Sequence, residues 1–479
     1  MDEDDGDGTS ERPRADDGTG TGDGSDGRGD ATPSFEAQID GPRDETAVDC
    51  LAAGVAAAHP RRVVADRVAV DGDDLVVDET HYDLAGVDEV LVLGGGKAGT
   101  GVTEALLDVL GDRITGGAVV TTDPATTTGP VERFEGSHPV PDEGGVAGAQ
   151  RVAELAEGAG ERTLVLAVIT GGGSALLPAP AGEVSLADLQ ATTDALLASG
   201  AAIDELNAVR KHLSTLKGGG LASLAAPAEV VTLAFSDVVG NDLSVIASGP
   251  TVADDTTYGD ALDVLDRYDV DVPGTVRDRL ERGAAGEIPE TPASGDPIFD
   301  AVSCHVLADT FTALAAARDV AADRGYDTML PSSRIRGEAR AAATSHVAVA
   351  EEALATGNPI DPPAVVLSGG ECTVTIRGDG GRGGPNQEFA LAAALDLPEG
   401  VTLAAVDSDG IDGASDDAGA LVDADTVIDR RAARDALDGN DAGTYLAERD
   451  ALLRSGPTGT NVNDLRAVVI GEPPADDAE

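Results

Sequence analysis

Short apolar runs alternate with helical stretches along most of the chain. Four runs rich in Val, Leu and Ala end in glycine or in a polar loop, which is typical of buried strands in a parallel sheet. The stretch ETAVDCLAAGVAAAHP and residues 100–110, 186–198 and 203–224 have the spacing of helices. Strands and helices therefore alternate in the βαβ order that predicts an α/β fold with a doubly wound sheet. The four strand runs are VDEVLVLGGG, GGAVVTTD, TLVLAVITGGGS and AEVVTLAFSDVVGND.

The same pattern divides the chain into three parts. Residues 1–36 have almost no apolar side chain and are predicted to be a disordered acidic tail. Residues 37–292 hold the four strand runs and are predicted to form a Rossmann-like first domain. After the segment 288–297, which is rich in Pro and Gly, residues 298–479 are predicted to form a second, smaller α/β domain. In that domain PAVVLSGGECTVTIRG is predicted to form two strands around a glycine turn.

Polar loops follow the predicted strands in both domains. Open α/β sheets bind ligands at the carboxyl ends of their strands. We therefore expect an active site in the cleft between the two domains.

The charge balance of the chain is strongly acidic. The 88 Asp and Glu residues outnumber the 32 Lys and Arg residues, and the net charge is -56. Halophiles use a charge balance of this kind, so the chain is predicted to come from a salt-loving microbe, and we expect a haloarchaeon. A basic surface for nucleic acid is absent from the composition, and we expect no nucleic-acid partner.

The chain has no apolar run near the roughly 18 residues that a membrane helix needs. Its start, MDEDDGDG, lacks the features of a secretory signal, so we expect a cytoplasmic protein without a membrane partner. The three cysteines form no C-x-x-C pair, which indicates neither a disulfide framework nor a zinc site.

Lysine is restricted to three positions, each in a glycine-flanked or basic motif. Lys97 lies in LVLGGGKAGTG, and Lys211 and Lys217 lie in NAVRKHLSTLKGGGLA. A chain that avoids lysine elsewhere is expected to keep it where a compact point charge binds a phosphate or a carboxylate.

Two glycine loops follow predicted strands. The first, GGGKAG, satisfies G-x-G-x-x-G, and Asp123 closes the next strand near where a ribose-binding acid would lie. The second, TGGGS, lets backbone N–H groups approach an anion. Each loop alone also fits a tight packing turn, so both interpretations stay open. The predicted binding residues of the two loops are Gly95, Gly96, Gly172, Gly173 and Ser174.

The most cationic stretch of the chain is 207–218. At helical spacing Asn207, Arg210 and Lys211 lie on neighbouring turns, and Lys217 follows at a later turn of the same predicted helix. A basic stripe is usually a solvated helix face. Acidic partners are missing within this stretch, however, which favours a site for an anionic ligand.

Aspartates and one arginine complete the candidate chemistry. Asp237 lies in FSDVVGND, and Asp407 and Asp409 lie in VDSDGIDG. These three carboxylates are candidates for holding Mg²⁺ or for taking a proton, although surface charge is the alternative in so acidic a chain. Arg382 lies between glycines in GRGGPNQE and is expected to reach across the cleft to a transferring phosphoryl group.

Together these motifs resemble the type 2 glycerate kinases, the family with the MOFRL domain. The resemblance spans about residues 45–472 and implies two α/β domains, with the MOFRL region at about 362–472. It implies Mg²⁺-dependent transfer of phosphate from ATP to D-glycerate, generally giving 2-phosphoglycerate. The matching strings, in order, are GGGKAGTG, GSHPVPDE, TGGGSALLP, NAVRKHLSTLKGGGLA, FSDVVGNDLSVIASGPT, LSGGECTVTIRGDGGRGGPNQEFALA, DSDGIDGASDDAG and GPTGTNVNDL.

Carried over by position, the resemblance implies catalytic roles for Lys97 and Arg382 and binding roles for Asn386 and Asn463. Many relatives read GRGGRNQE, whereas this chain has Pro385 in place of the second arginine. If the second arginine is the catalytic one in the family, Arg382 must substitute for it.

Other interpretations stay open beside the kinase. The G-x-G-x-x-G loop favours an NAD(P)H-dependent hydroxypyruvate reductase. A regulator that binds a nucleotide or an acid without turnover is a third reading. The expected partner is a small molecule, D-glycerate, and a homodimer is an open alternative to a monomer.

Overall fold

The computed structural model describes residues 32–124, 129–376, 378 and 380–473. The tail predicted over 1–36 lies mostly outside this range. In its described part Phe35 is buried and Glu36 forms an isolated β-bridge with Arg454, so the last two residues of the predicted tail contact the rest of the chain. None of the helices in the described ranges combines the length and the apolar character that crossing a membrane requires.

Helices and strands alternate along these residues. The strands are β1 Val68–Asp71, β2 Asp74–Val77, β3 Thr80–Asp83, β4 Glu89–Gly95, β5 Gly116–Thr121, β6 Val131–Glu135, β7 Thr163–Thr170, β8 Glu229–Phe235, β9 Val302–Ala308, β10 Asp327–Glu338, β11 Ala364–Thr373, β12 Val401–Asp407, β13 Gly419–Asp423, β14 Leu452–Leu453 and β15 Asp464–Ile470. The helices are α1 Pro42–Ala57, α2 Pro60–Arg67, α3 Gly99–Leu110, α4 Glu143–Glu157, α5 Gly173–Leu176, α6 Leu186–Ser199, α7 Ile203–His212, α8 Gly220–Ala225, α9 Tyr258–Arg267, α10 Gly274–Ala284, α11 Thr310–Asp323, α12 Ala339–Thr356, α13 Pro385–Ala394, α14 Arg430–Asp438 and α15 Ala442–Ala447.

The first large sheet is parallel throughout, in the order β6-β5-β4-β7-β8-β9. Numbered from β4, this is the 3-2-1-4-5-6 order of a Rossmann fold, and its switch point lies between β4 and β7. Leu91 and Leu93 of β4 belong to the core on the α4 face, while Val90 and Val92 belong to the core on the α3 face. Both faces are therefore covered, which confirms the predicted doubly wound sheet.

The second large sheet is mixed, in the order β10-β11-β15-β12-β13-β14. Its strands β10 and β11 are parallel, and the other neighbours are antiparallel. Phe389 of α13 and Val347 of α12 pack on one face, and Leu51 of α1 and Leu314 of α11 pack on the other. A small antiparallel sheet, β1-β2-β3, lies outside both.

The chain passes between the two large sheets more than once. Helix α1, near the start, packs against α11, β12 and β15 of the second sheet. Strand β9 follows the segment 288–297 and yet pairs with β8 in the first sheet. The domain boundaries at 292 and 298 stay a prediction. Strand β9 belongs to the first sheet, although it follows the predicted boundary.

Two predicted elements differ from the structure. PAVVLSGGECTVTIRG, predicted to form two strands around a glycine turn, contains the single strand β11, with Gly370 inside it. A Cβ on Gly370 would lie 2.3 Å from the carbonyl oxygen of Ile335, so the glycine serves a close approach of β10 rather than a turn.

The helix predicted over 203–224 is interrupted. Helix α7 ends at His212, and α8 begins at Gly220. Gly218 and Gly219 between them have φ of +54° and +78°, a conformation that glycine adopts without steric cost. Lys217 therefore lies in a turn and not on a later turn of the same helix, as the sequence predicts.

Candidate active site

The loops that follow β4 and β7 lie side by side at the switch point of the first sheet. The backbone N–H of Lys97 donates to the carbonyl oxygen of Gly171 at 2.8 Å. A Cβ on Gly172 would lie 3.1 Å from Cγ of Lys97. The two glycine motifs thus form one site, at the strand ends where the sequence predicts it.

The ammonium group of Lys97 lies 3.0 Å from Oδ2 of Asp409, which follows β12 of the second sheet. Burial opposes the ammonium charge, but Asp409, with Asp407 and Asp237 beside it, outweighs burial and raises the pKa of Lys97. Lys97 is therefore a charged group at the meeting point of the two sheets. The cleft between them is where the sequence predicts an active site.

Three predicted metal ligands surround this lysine. Burial raises the pKa of Asp237, and burial together with the charges of Asp409 and Asp464 raises the pKa of Asp407 well above its usual value. The backbone N–H of Asp409 donates to Oδ1 of Asp407 at 3.0 Å. Such a group of carboxylates, crowded around one ammonium, favours the binding of a further cation.

The three aspartates do not form a complete protein cage for a metal. Within the ranges 32–124, 129–376, 378 and 380–473, no group of three or more His, Cys, Asp or Glu side chains is placed to hold a metal ion. Magnesium, however, is usually bound by one or two carboxylates together with substrate phosphates and water. A pair such as Asp407 and Asp409 suits that mode.

The position of Asp237 depends on glycine in the facing loop. A Cβ on Gly171 would lie 2.2 Å from Oδ2 of Asp237. Real side chains essentially never approach so closely, so any other residue at 171 forces the carboxylate to move. The glycines of TGGGS therefore serve the approach of a carboxylate and of the Lys97 side chain.

The amides of the first glycine loop are used inside the protein. Gly96 donates to the carbonyl of Val120 at 2.9 Å, and Ala98 donates to Oγ1 of Thr170 at 3.2 Å. Lys97 donates to Gly171, as described above, and Gly95 belongs to strand β4, which pairs on both sides. These amides are not directed at a ligand, which favours the packing-turn interpretation of GGGKAG over a pyrophosphate site.

A second group of polar side chains lies on the other side of the TGGGS loop. Oγ of Ser248 donates to Oδ1 of Asn207 at 3.0 Å and lies 2.9 Å from Oγ of Ser174. The ammonium of Lys217 donates to the carbonyl of Ser174 at 2.9 Å. Burial, and after it the charge of Arg210, lowers the pKa of Lys217 to about 7, so the two cations are neighbours.

Lys211 has a different environment. Its ammonium donates to Oδ1 of Asp254 at 3.1 Å, and the two side chains are 7% and 0% exposed. Asp254 also accepts from the hydroxyls of Thr256 and Thr291. The charge of Lys211 is thus used in a buried ion pair, which separates it from Lys217 despite their closeness in sequence.

Arg382 is paired within the second domain. Its guanidinium donates to Oδ2 of Asp417 at 2.5 Å, and Arg454 donates to Oδ1 of the same carboxylate at 2.6 Å. The side chain is 43% exposed, and its backbone N–H donates to Asp441 at 2.8 Å. In this conformation the guanidinium does not reach across the cleft as expected, because the buried charge of Asp417 holds it.

Asn386 and Asn463 make internal contacts. Nδ2 of Asn386 donates to Asp464 at 2.7 Å, and its backbone N–H donates to Asp412 at 2.9 Å. Asp412 thereby caps the start of α13, and burial raises its pKa to about 7. Nδ2 of Asn463 donates to Oγ1 of Thr310 at 3.3 Å. Both asparagines hold the acidic loop and its neighbours in place.

Sequence reasoning assigned no role to several residues of this site. Glu371 in SGGEC lies in the field of Asp237 and Asp464, and burial raises its pKa to about 7. His138 in GSHPVPDE has a pKa lowered to about 4 by burial and by Lys97. Asp412 stands in the same DSDGIDG motif as the predicted Asp409. The matching strings contain all three residues, but only the fold shows that Glu371 and His138 lie in the field of Lys97 and that Asp412 lies in the field of Asp464.

A recess adjoins the loop that carries Asp237. It has a volume of about 200 Å³ and is lined by the loop that follows β8, the start of α11 and part of β10. Phe311 lines it and is 51% exposed, although the chain has only six phenylalanines. Arg334 lines the opposite part and is exposed as well.

Two family models match separate parts of the chain, and these parts correspond only partly to the two large sheets. Residues 46–281 match a domain of unknown function called DUF4147, and residues 364–464 match the MOFRL family. The glycerate 2-kinase of Pyrococcus horikoshii is 37% identical over 423 residues, which cover 87% of this chain and 94% of that protein. The D-glycerate 2-kinase of Thermotoga maritima is 39% identical over 401 residues, which cover 82% of this chain and 93% of that protein.

A relative from Agrobacterium vitis carries a different, provisional name. It is called a hydroxypyruvate reductase and is 42% identical over 389 residues, which cover 80% of this chain and 87% of that protein. Two solved structures are also similar. The PH0495 protein of Pyrococcus horikoshii has a TM-score of 0.78 at 36% identity and covers 91% of this chain and 100% of its own. A glycerate kinase of Thermotoga maritima has a TM-score of 0.77 at 36% identity and covers 89% of this chain and 99% of its own.

Proposed function

The chain belongs to the glycerate kinase family that contains the MOFRL domain, and we propose that it transfers the γ-phosphoryl group of ATP to D-glycerate, giving 2-phosphoglycerate. The observation that carries this proposal is the contact of Lys97 with Asp409 between the two sheets. Phosphoryl transfer requires mainly that the reactants are positioned and that their negative charge is neutralised. A charged lysine beside carboxylates, at the switch point of a Rossmann sheet, supports that chemistry.

Lys97 is the proposed stabiliser of the transferring phosphoryl group. Its raised pKa keeps the ammonium charged at neutral pH, and 30% of its side chain remains exposed on the cleft side. When a phosphate enters, the ammonium can share its three N–H donors between Asp409 and the phosphate oxygens. The lysine thus needs no large movement to reach the reacting group.

Mg²⁺ is the proposed metal of the reaction. Asp407 and Asp409 are the residues that would hold it, because their oxygens suit a hard cation and their crowding favours added positive charge. When bound, the ion supplies neutralisation of the phosphate oxygens. Asn386 keeps this loop in place through Asp412 and Asp464.

Asp237 is the proposed acceptor of the proton from the attacking hydroxyl. It lies in the field of Lys97 and next to the TGGGS loop, and burial raises its pKa above the usual value of an aspartate, which strengthens it as a proton acceptor. In other kinases an aspartate accepts the substrate hydroxyl proton in the same way. The raised pKa also favours the protonated carboxyl group, so Asp237 can hold the proton until the product leaves.

Arg382 is the proposed second cation for the phosphoryl group. It replaces the arginine that this chain lacks at Pro385. The guanidinium is 43% exposed, and Asp417 keeps Arg454 as a partner when Arg382 turns away. Closing of the cleft on substrate would bring Arg382 to the phosphate without leaving a buried charge unpaired.

The recess beside Asp237 is the proposed site for the adenosine part of ATP. Its exposed Phe311 ring offers a face for stacking on a base, and the guanidinium of Arg334 offers charge to a phosphate. The recess adjoins Val238, next to the proposed base, so a donor held there would place its phosphates toward Lys97. Replacing Phe311 with Ala is expected to raise KM for ATP by about tenfold, in line with the energy of one stacked base.

The test is a paired assay on the purified protein in molar KCl. High salt is used because the net charge of -56 is the kind found in salt-adapted proteins. One arm contains ATP, D-glycerate and Mg²⁺ and follows ADP and the position of the phosphate on the product. ADP release that requires glycerate, with 2-phosphoglycerate as product, is expected. Glycerate-independent ATP hydrolysis, or no turnover, would contradict the proposal. A sedimentation run on the same sample tests the homodimer, which stays a prediction.

A hydroxypyruvate reductase is the second candidate, because the sheet has the Rossmann order and one relative carries that name. Against it, the amides of the GGGKAG loop that a pyrophosphate would need are used inside the protein. The second arm of the assay offers hydroxypyruvate with NADH or NADPH. Oxidation of the nicotinamide in this arm alone would favour the reductase.

A further inference from the structure

Three donors beside the TGGGS loop have no acidic partner among the residues that the structure describes. Nδ2 of Asn207 has no hydrogen-bond partner among the described residues, and the side chain is only 3% exposed. The ammonium of Lys217 donates to the neutral carbonyl of Ser174. Arg210 has neither a hydrogen bond nor an ion pair for its guanidinium within the described part of the chain, and burial alone lowers its pKa.

This arrangement is unusual in so acidic a protein. The chain has 88 acidic side chains, and yet two neighbouring cations remain buried or half-buried without a carboxylate from the described ranges. Burying a charge without a partner costs free energy, as does burying an amide N–H that makes no hydrogen bond. Lys211 on the same helix as Arg210 shows the alternative, because Asp254 neutralises it. Arg210 and Lys217 are therefore arranged for an anion that is not part of the protein.

The group lies one loop away from Lys97. Ser174 is two residues beyond Gly172, and a Cβ on Gly172 would touch the Lys97 side chain. The hydroxyl of Ser248 lies between Asn207 and the hydroxyl of Ser174, the serine of the loop.

We propose that Arg210, Lys217 and Asn207 form the pocket that binds the carboxylate of the acceptor substrate, a short hydroxycarboxylic acid. The guanidinium fork, the ammonium and the amide N–H together offer donors for the lone pairs of both carboxylate oxygens. The Ser174 and Ser248 hydroxyls are placed to bind a substrate hydroxyl or the same oxygens. This inference rests on the proposed function, since it names the acceptor end of that reaction.

A phosphate group of the donor has similar oxyanion chemistry, and the position of the pocket decides between the two. The proposed donor recess adjoins Val238 and Arg334, whereas this pocket is built by α7, the turn before α8 and the TGGGS loop. The two lie on different elements, with the loop that contacts Lys97 next to this pocket. The carboxylate of the acceptor is therefore assigned here, and separate KM values for acceptor and donor test the assignment.

The test is Arg210→Met in the paired kinase assay. KM for D-glycerate is expected to rise about 30-fold, the loss expected for a charge-assisted hydrogen bond, while KM for ATP stays within about twofold. Arg277→Met is the matched control, because Arg277 is a half-buried arginine whose ion pair within the described residues is with exposed Asp266. A rise in KM for ATP instead, or an unchanged KM for D-glycerate, would overturn the proposal.

A substrate comparison separates binding from a structural role. Glycerol presents the same hydroxyl chemistry without a carboxylate, so the wild-type enzyme is expected to prefer D-glycerate strongly. Arg210→Met is expected to lose most of this preference, whereas damage to the fold lowers both activities in proportion. If Arg210→Met does not fold, Asn207→Asp replaces it, since this isosteric change puts a negative charge beside the bound carboxylate. An unchanged preference in Asn207→Asp would also overturn the pocket.

Calorimetry distinguishes this proposal from the proposed function. D-glycerate is titrated into the wild-type protein and into Arg210→Met without ATP. If the wild-type enzyme forms no phosphoglycerate but binds D-glycerate through Arg210, the pocket stands and the kinase fails. If turnover is normal and the Arg210→Met protein binds D-glycerate as tightly as the wild type, the kinase stands and the pocket fails.

Discussion

Nζ of Lys97 lies 3.0 Å from Oδ2 of Asp409, although 312 positions separate the two residues in the chain. The lysine follows the first strand of the parallel sheet and the aspartate follows β12 of the mixed sheet. The ion pair therefore joins the carboxyl ends of two strands from different sheets. A ligand that binds the ammonium of Lys97 in place of Asp409 therefore also weakens this contact between the two sheets.

Replacing Lys97 with Ala is expected to lower kcat by about 10²–10³-fold, because a positioned charge donor to the transferring group is lost. Steady-state kinetics with D-glycerate and ATP measure this change. The thermal midpoint is the control, since the half-buried ion pair contributes little to folding compared with its effect on turnover. Turnover equal to that of the wild type would remove Lys97 from the mechanism.

Arg382→Ala and Arg454→Ala form a matched pair, because both guanidiniums bind the same buried carboxylate of Asp417. If Arg382 acts on the phosphoryl group, only its replacement lowers kcat, by about 10²–10³-fold. Each single variant leaves Asp417 with one arginine, so both are expected to fold. Equal and small effects of the two changes on kcat would mean that Arg382 is only a partner for Asp417.

Gly171→Ala is expected to reduce both stability and activity. Its Cβ would lie 2.2 Å from Oδ2 of Asp237, and such crowding costs about 1–3 kcal/mol of unfolding free energy. Gly160→Ala is the control, because nothing lies within 4 Å of a Cβ there. Chemical denaturation and kcat are measured for both variants. Equal results for the two would show that Asp237 does not depend on the glycine.

Lys211→Met is expected to act on folding rather than on substrate binding. It leaves Asp254 buried without its cation, and breaking a buried ion pair in this way costs about 3–5 kcal/mol of unfolding free energy. Denaturation in high salt measures the loss. A stable Lys211→Met protein with a raised KM for D-glycerate would instead support the binding role that the sequence predicts for Lys211.

The pH dependence of substrate binding is expected to follow Lys217. Burial and the charge of Arg210 lower its pKa to about 7, so the free enzyme loses this charge as the pH rises through about 7. KM for D-glycerate is therefore expected to rise above that pH, by up to about tenfold per pH unit, while KM for ATP changes less. A flat profile for D-glycerate would exclude a charged Lys217 from acceptor binding.

The same shift has an opposite effect on stability. Between about 7 and 10.5 the folded protein binds fewer protons at Lys217 than the unfolded chain does, so the contribution of this group to the unfolding free energy rises with pH in that window. Lys217→Met is expected to remove both the rise in KM and this contribution. Titration of stability with denaturant at several pH values measures the second effect.

The sequence predicts the fold well where the hydrophobic pattern is local. Strands β4, β7 and β8 end where their apolar runs end, and the polar loops that follow them meet as the topology of a parallel sheet requires. Lys97 and Asp237, which follow two of these strands, therefore lie in each other's field. The membership of β9 in the first sheet is not visible in the pattern, because an apolar run does not specify its neighbours.

The partners of charged side chains are the part that the sequence does not predict. Lys211 and Lys217 differ by six positions and have similar surroundings in sequence, and yet one is neutralised by Asp254 and the other is not. The interruption of the helix at His212 decides this difference, since it turns Lys217 away from the face of Lys211. Arg382 is a similar case, because Asp417 comes from a distant segment.

Helix α1 packs on β15, the last described strand of the chain. Domains generally fold as units, from the N-terminus, while the ribosome adds about 5–20 residues per second. The parallel sheet from β4 to β9 can form during synthesis. The apolar side of α1, with Leu51 and Val55, is fully buried only after β12 and β15 have been synthesised. The second sheet is thus completed only after synthesis of β15, so α1, the first helix of the described residues, is among the last to be fully buried.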